Sequence, residues 1–415
     1  MKQSRRTFLK STVAVGAASL AGPALIGTAH AADDTIKIAN ITDVSGGLDI
    51  YGQPQVACLE LAVDEVNANG GVLGKQVELI KYDPQSNIQL YTQYATEAAT
   101  REQVSAVFGG VTSASREAIR PLLRRYNTLY FYPTLYEGGV CDRNFFCNGS
   151  TPAQTIEVLM PFVMEKFSGK KVYVIAADYN YGWISAKWVK HYTEANGGEV
   201  LDTEYFPLDV TDFGATIKNI QAAKPDILFT LLVGGNHMSF FRQWASAGLA
   251  GKIPMASSDF GVGNEHIVLT PEESNGMVAA YAYMQELETT ANTAFLERLR
   301  AKFGDDTPYV NELAVSAYNA FYHWVGGVER AGTTDRLAVI KALEDGTPFN
   351  GPGGRSVIDP RTHHAILDVH IGEVENNAFR VLESHSQRPP SDTAQFCDLL
   401  SNPNDNQQYV IGTKA

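Results

Sequence analysis

Between residues 35 and 250 the sequence alternates apolar runs with amphipathic stretches, and few folds satisfy that rhythm. "TIKIANITDV" (35–44) reads as a buried strand, residues 55–71 as a helix closed by Asn and Gly, and "KQVELIKYD" (75–83) as a second strand. A helix over 91–102, a strand over 104–110, a helix over 115–126 and a strand over 128–134 follow. Strands alternating with helices imply a parallel sheet with helices on its faces. The rhythm then restarts: strands over 170–179, 199–208 and 225–235 alternate with helices over 183–196, 213–223 and 237–249. Two such series predict an α/β protein of two Rossmann-like lobes. No Pro- or Ser-rich tether lies between them, so the passage near Ser150 to Pro152 is expected to be tight. Helices over 292–303 and 313–330 come next, then late strands in "RSVIDP" and "AILDVHIGEV". The last 30 residues, 386–415, are polar and rich in Pro and Asn, and are expected to wrap the surface as a tail.

The first 31 residues stand outside this pattern. "SRRTFLK" (4–10) precedes an apolar run rich in Gly and Ala, and "AHA" (29–31) offers a small-x-small cleavage site. The run, roughly 16 residues long, is too short to span a bilayer. Arg5-Arg6 followed by Phe8-Leu9-Lys10 has the form of a twin-arginine export signal. Export to the periplasm is therefore expected, with a mature chain beginning near Ala32 that does not insert into the membrane. Loss of Lys2, Arg5, Arg6 and Lys10 takes the formal charge from −13 to −17. A surface that acidic repels nucleic acid and anionic lipid.

Export also permits disulfides. Of the four cysteines, Cys141 and Cys147 in "CDRNFFC" are closest in sequence, and a bridge between them, worth roughly 2 kcal/mol by chain entropy, is expected. Cys58 and Cys397 are left to pair with each other or to remain buried thiols.

Enzyme motifs fail. "GGVLGK" (70–75) is one residue too short for a phosphate loop, and Gln76 replaces the Ser or Thr that would hold magnesium; a turn is expected. No GxSxG, HExxH, CxxC or EF-hand loop occurs, so no catalytic residue, metal or cofactor is assigned. His363-His364 is expected in a solvated turn, and Asp33-Asp34 and Asp305-Asp306 in exposed loops.

Open α/β sheets bind ligands beyond the carboxyl ends of their strands. In the first series those ends carry residues 43–51, "GGVTSASR" (109–116) and "LYFYPTLYEGG" (129–139); the last holds Tyr132, Thr134, Tyr136 and Glu137. In the second they carry "DYNYGW" (178–183) with Tyr179 and Tyr181, "VGGN" (233–236) with Gly235, and "SSDFGVGNE" (257–265) with Asp259. "TSASRE" places Thr112, Ser113 and Ser115 at a helix start, where one hydroxyl caps the helix and others are free to meet a ligand oxygen.

"GGVLGK", "FGGVTSASREAIRPLLRRYNTLYFYPTLYEGG" and "AADYNYG", in that order, resemble the urea and short-chain amide branch of the type I periplasmic binding proteins, within the group similar to leucine/isoleucine/valine-binding proteins. The resemblance spans about residues 35–385. It implies two lobes joined by three hinge crossovers, 32–152 plus 282–350 and 153–281 plus 351–385, closing on a small amide or urea-like solute for delivery to a membrane ABC permease. It further implies that Ser113 and the backbone near Thr134 hold the ligand carbonyl, that Tyr132, Tyr179 and Tyr181 wall the pocket, and that Glu137 meets the amide nitrogen or braces the loop. Tyr132 and Glu137 are thus expected in a cleft and not in a core. Val111 stands where urea binders carry an aromatic residue, which widens the pocket. An aliphatic amino acid in the same fold, with Glu137 meeting its ammonium and Ser113 and Ser115 its carboxylate, is the alternative. A periplasmic amide sensor and an amide hydrolase complete the set, the last without a nucleophile–base pair.

Overall fold

The computed structural model describes residues 35–412. The expected export signal and Asp33-Asp34 lie outside the described residues. The first elements are β1 (Thr35–Ile41), α1 (Asp49–Ala68), β2 (Gln76–Tyr82), α2 (Ile88–Thr100), β3 (Ala106–Gly109), α3 (Ser113–Arg125), β4 (Leu129–Tyr132) and β5 (Phe145–Cys147). Next come α4 (Ile156–Lys166), β6 (Lys171–Ala177), α5 (Asn180–Ala195), β7 (Glu199–Phe206), α6 (Gly214–Ala223), β8 (Ile227–Leu231), α7 (Gly235–Ser246) and β9 (Met255–Ser257). The chain continues through α8 (Glu265–Val268), α9 (Pro271–Ser274), β10 (Val278–Tyr281), α10 (Thr290–Phe303), α11 (Glu312–Ala331) and α12 (Arg336–Glu344). It closes with β11 (Phe349–Gly351), β12 (Gly354–Ile358), β13 (Ala365–Glu375), β14 (Ala378–Arg388) and α13 (Ser391–Ala394).

The first sheet has the order β2-β1-β3-β4-β5 and every pairing in it is parallel. Its central strands β3 and β4 are buried along their whole length, as a parallel sheet covered on both faces requires. The second sheet runs β11-β12-β13-β10-β9-β8-β6-β7, with β14 paired to β13. Strands β7, β6, β8, β9 and β10 are parallel neighbours, and the late strands add to them antiparallel.

Sequence order and lobe membership part company after β10. Phe295, Leu299, Phe321 and Trp324 of α10 and α11 share a core with Ile38, Phe108 and Phe131 of the first sheet, so the chain returns there. The chain leaves the first sheet after β5, leaves the second after β10 for α10–α12, and rejoins it at β11. Glu312, at the start of α11, ties the first two passages together: its carboxylate accepts from the amides of Ser150 and Ala282, each at 2.9 Å.

Most expected elements stand within a few residues of their predicted bounds. α1 begins at Asp49 instead of near Gln55 and carries Pro54 inside it. "GGVLGK" is a turn, in which Val72 and Lys75 exchange both backbone hydrogen bonds. The short strands β5 and β10, and the helices α4 and α12, carried no clear period and were not expected, and β9 was implied only by the strand end assigned to 257–265.

Two expectations fail. Cys141 pairs with Cys397, not with Cys147, and Cys58 and Cys147 are buried free thiols. Cys147 is unavailable because β5 pairs with β4, Tyr132 opposite Cys147, which holds its thiol among Tyr132, Tyr136 and Phe145. Cys141 lies instead under the C-terminal segment, where its amide donates to the Gln407 carbonyl at 2.8 Å. His363 and His364 are fully buried and not in a solvated turn. His363 stacks on Phe146 with ring centres 4.5 Å apart, and His364 hydrogen-bonds the Tyr136 hydroxyl.

Candidate functional site

A cavity of about 40 Å³ opens where strand ends of the two sheets meet. The first lobe contributes Tyr51 from α1, Val111 and Ser113 after β3, Thr134 and Leu135 after β4, and Leu313 from α11. The second contributes Tyr179 and Tyr181 after β6, Val233 after β8, and Asp259 and Val262 after β9. Five of the expected residues thus meet there: Ser113, Thr134, Tyr179, Tyr181 and Asp259. Tyr132, Tyr136 and Glu137 are not on the wall. Gly235 is not on it either, since it opens α7 while Val233 reaches the cavity and the Gly234 amide donates to the Tyr51 hydroxyl at 2.6 Å.

Behind the first-lobe wall lies a network closed on itself. The Ser113 hydroxyl donates to Glu137 Oε2 at 2.5 Å, and Arg116 donates to Glu137 Oε1 at 2.8 Å and to Ser113 Oγ at 3.1 Å. Both charged side chains are fully buried. The guanidinium also lies over the ring of Tyr136, 4.4 Å from its centre, and 5.3 Å from that of Tyr132. Glu137 is therefore no solvated charge, and it is spent on holding Ser113 and Arg116. Thr112 and Ser115 cap α3 reciprocally, Thr112 Oγ1 accepting from the Ser115 amide at 3.0 Å. What faces the cavity from α3 is the N-terminal end of the helix at Ser113, whose first amides have no acceptor inside the helix and favour negative charge. Thr134 Oγ1 donates to the Gly110 carbonyl at 2.8 Å, which leaves its lone pairs as acceptors.

The second-lobe wall is built differently. Asp259 Oδ1 accepts from Ser257 at 2.8 Å and stands 3.5 Å from His237 Nε2, while Oδ2 accepts from the Tyr181 hydroxyl at 3.1 Å. His237 Nδ1 lies 3.1 Å from Glu265, whose other oxygen accepts from the amides of Gly261 and Gly263 at 2.7 and 3.1 Å. Burial disfavours a charged imidazole, but the two carboxylates outweigh it and raise His237 to about 9. Burial pushes the Asp259 carboxyl above its ordinary range even with His237 beside it, whereas for Glu265 the hydrogen bond and charge of His237, with backbone amides, outweigh burial and hold it below its own.

Val111, Leu135, Val233, Val262 and Leu313 complete an apolar lining. Among the described residues no group of three or more His, Cys, Asp and Glu side chains is arranged to hold a metal, and no helix is long and apolar enough to cross a membrane.

Residues 35–378 match the family model described as periplasmic binding protein. The chain belongs to that family. The curated relatives and solved structures that it resembles are named as binding proteins. Among curated relatives it is 27% identical to the leucine-, isoleucine-, valine-, threonine- and alanine-binding protein of Pseudomonas aeruginosa, over 85% of this chain and 91% of that one. It is 26% identical to a Leu/Ile/Val-binding protein homolog of Brucella melitensis, over 80% and 89%. Among solved structures, a solute-binding protein of an ABC transporter from Rhodopseudomonas palustris, in complex with p-hydroxybenzoic acid, superposes with a TM-score of 0.76 at 25% identity, over 87% of this chain and 100% of that one. A branched-chain amino acid transporter substrate-binding protein from Streptococcus pneumoniae, in complex with isoleucine, shares the fold with a TM-score of 0.74 at 23% identity, over 86% and 100%.

Sequence reasoning gave no role to Arg116, His237, Glu265 or Gln408, although Arg116 and Glu265 fall inside stretches that it picked out. Arg116 had a signal, because its spacing of three from Ser113 puts both on one face of a helix. His237 and Glu265 had none, since 28 residues separate them.

Proposed function

We propose that the protein binds a small aliphatic α-amino acid between its two lobes and delivers it to a membrane ABC permease. Export through the twin-arginine signal, and lobes bounded at 32–152 plus 282–350 and 153–281 plus 351–385, belong to the same reading. The observation that carries it is Asp259: a buried carboxylate on the cavity wall, with His237 beside Oδ1 and the Tyr181 hydroxyl donating to Oδ2. Such a group seeks a cation, and the ligand ammonium supplies one. The N-terminal end of α3 is the complementary place for the ligand carboxylate. Five aliphatic side chains leave an apolar compartment for the ligand side chain. The Pseudomonas relative is named for leucine, isoleucine, valine, threonine and alanine, which agrees with a small zwitterion.

The size of the cavity favours a second reading. About 40 Å³ has room for roughly three waters, which suits urea or acetamide. Four heavy atoms give such a ligand at best about −6 kcal/mol of binding free energy.

Thermal unfolding of the mature protein with L-alanine, L-valine, L-leucine, urea, acetamide and p-hydroxybenzoate separates the two. Ligand at a hundredfold excess over its Kd adds about 2.7 kcal/mol to stability. Stabilisation by alanine or valine with none by urea or acetamide is the expected result. Stabilisation by urea or acetamide alone replaces it with the amide reading, and p-hydroxybenzoate alone would reject both.

A further inference from the structure

The C-terminal segment is fastened to the back of the ligand site. Cys397 is bonded to Cys141, and both are buried with Leu399. Arg120 donates to the Asn406 carbonyl at 3.0 Å, and Arg124 to those of Asp405 and Asn404 at 2.7 and 2.9 Å. From there the segment runs along residues 139–141, with the Cys141 amide donating to Gln407 and the Tyr409 amide to Gly139, both at 2.8 Å. The approach is so close that a Cβ at Gly139, whose φ is +86°, would lie 2.0 Å from the Tyr409 carbonyl oxygen. Gln408 then reaches inward, its Nε2 donating to Glu137 Oε1 at 2.5 Å. That carboxylate is the one that accepts from Ser113 on the cavity wall. Val410 and Ile411 pack against a core that holds Trp188 and Tyr192 of α5 together with Leu48, Val111 and Leu135. Trp188 itself donates to the Glu137 carbonyl at 3.2 Å, and Asn180 to Glu137 Oε1 at 3.4 Å.

We propose that the C-terminal segment is a working part of the ligand site and that Gln408 is a positioning residue, fixing Ser113 and the first turn of α3 through Glu137. The Cys141–Cys397 bond keeps it in place. The proposal rests on the cavity being the ligand site, but not on which ligand fills it.

The test uses the full mature chain with Gln408→Ala, Gln408→Glu and the double change Cys141→Ser with Cys397→Ser. Titration calorimetry with L-valine, L-alanine and acetamide reads affinity, and apo thermal unfolding reads stability. Hydrogen exchange at the amides of Thr112 and Ser115, which the α3 cap protects, reads the first turn without any ligand. Gln408→Ala is expected to weaken binding about tenfold, the scale of one hydrogen bond to a charged group, with apo Tm close to wild type. Gln408→Glu keeps the shape but sets a second carboxylate against Glu137, and is expected to weaken binding further and speed exchange at both amides. The double cysteine change is expected to act in the same direction as Gln408→Ala. Wild-type affinity in both Gln408 variants with a lowered apo Tm would overturn the proposal and leave the segment a stabilising wrap. If wild type binds none of the three probes, exchange decides: unchanged protection at Thr112 and Ser115 in Gln408→Glu would overturn it, and faster exchange would support it while the ligand reading alone fails.

Discussion

The two halves of the site use the same ingredients to opposite ends. In the first lobe Arg116 lies between Glu117 and Glu137, and in the second His237 lies between Asp259 and Glu265. Around Arg116 the buried carboxylate is saturated: Glu137 accepts from Ser113, Arg116, Asn180 and Gln408 and never reaches the cavity. Around His237, Asp259 lines the cavity itself, and among the described residues the partner shown at its Oδ2 is the Tyr181 hydroxyl. A buried ion pair can thus serve as scaffold or as receptor, and what decides is how many donors its carboxylate has already met.

The comparison breaks most visibly at Arg116. Arg116→Met should leave Glu137 buried with its cation gone, at a cost of about 3–5 kcal/mol. Urea unfolding should show a lower midpoint, with ligand affinity in the residual folded protein a secondary effect. A cost below about 1 kcal/mol would mean that Glu137 is solvated. The expectation that Tyr132 and Glu137 stand in a cleft fails here, because both are buried behind the wall, so changing either should cost fold as well as binding.

Asp259→Asn should do the opposite, costing binding more than fold. Loss of a charge-assisted contact to an ammonium is worth about 1.5–3 kcal/mol, roughly a tenfold to hundredfold rise in Kd for valine or alanine. Acetamide, which carries no charge, should lose far less. Equal losses for the two ligands would remove the argument for a zwitterion.

A further expected effect is one of pH. His237 is raised from its ordinary value of 6.5 to about 9, so its stabilisation is fully present below pH 6.5 and is lost as pH rises through about 9. Unfolding midpoints in urea should fall across that window, and His237→Gln should flatten the fall. A wild-type midpoint that is level from pH 6.5 to 9 would mean that the histidine is neutral between its carboxylates.

Much of the fold was legible. The period of "TIKIANITDV" or "PDILFTLLVGG" needs only neighbours along the chain, and the ends of other strands in the same two series led to Ser113, Thr134, Tyr179, Tyr181 and Asp259. Within "LYFYPTLYEGG" the reading was half right. Thr134 faces the ligand space, whereas Tyr132 and Tyr136 turn into the first-lobe core with Arg116 over their rings. Aromatic content marks buried surface in either place and carries no sign of which.

The cysteines show the same limit in covalent form. Closeness in sequence favoured Cys141 with Cys147, but β5 had to enter the sheet, and that took Cys147 away. The bond that does form spans 256 residues, and by chain entropy a loop of that length stabilises the fold by about 5 kcal/mol instead of about 2. The polar tail, expected to lie over the surface, buries Asp392, Thr393, Cys397 and Leu399. Its composition describes its solvent face, and its anchors are single residues that no window average detects.

The sequence by itself determined the class of fold, the two lobes and the strand ends where a ligand could sit, because hydrophobic period and turn chemistry act between residues a few positions apart. Tertiary structure alone decided which carboxylate is spent and which is presented, which cysteines meet, and that Gln408 stands behind Ser113. Those outcomes depend on distances between residues as far apart as Glu137 and Gln408, and on donors that compete for the same oxygen once water is excluded.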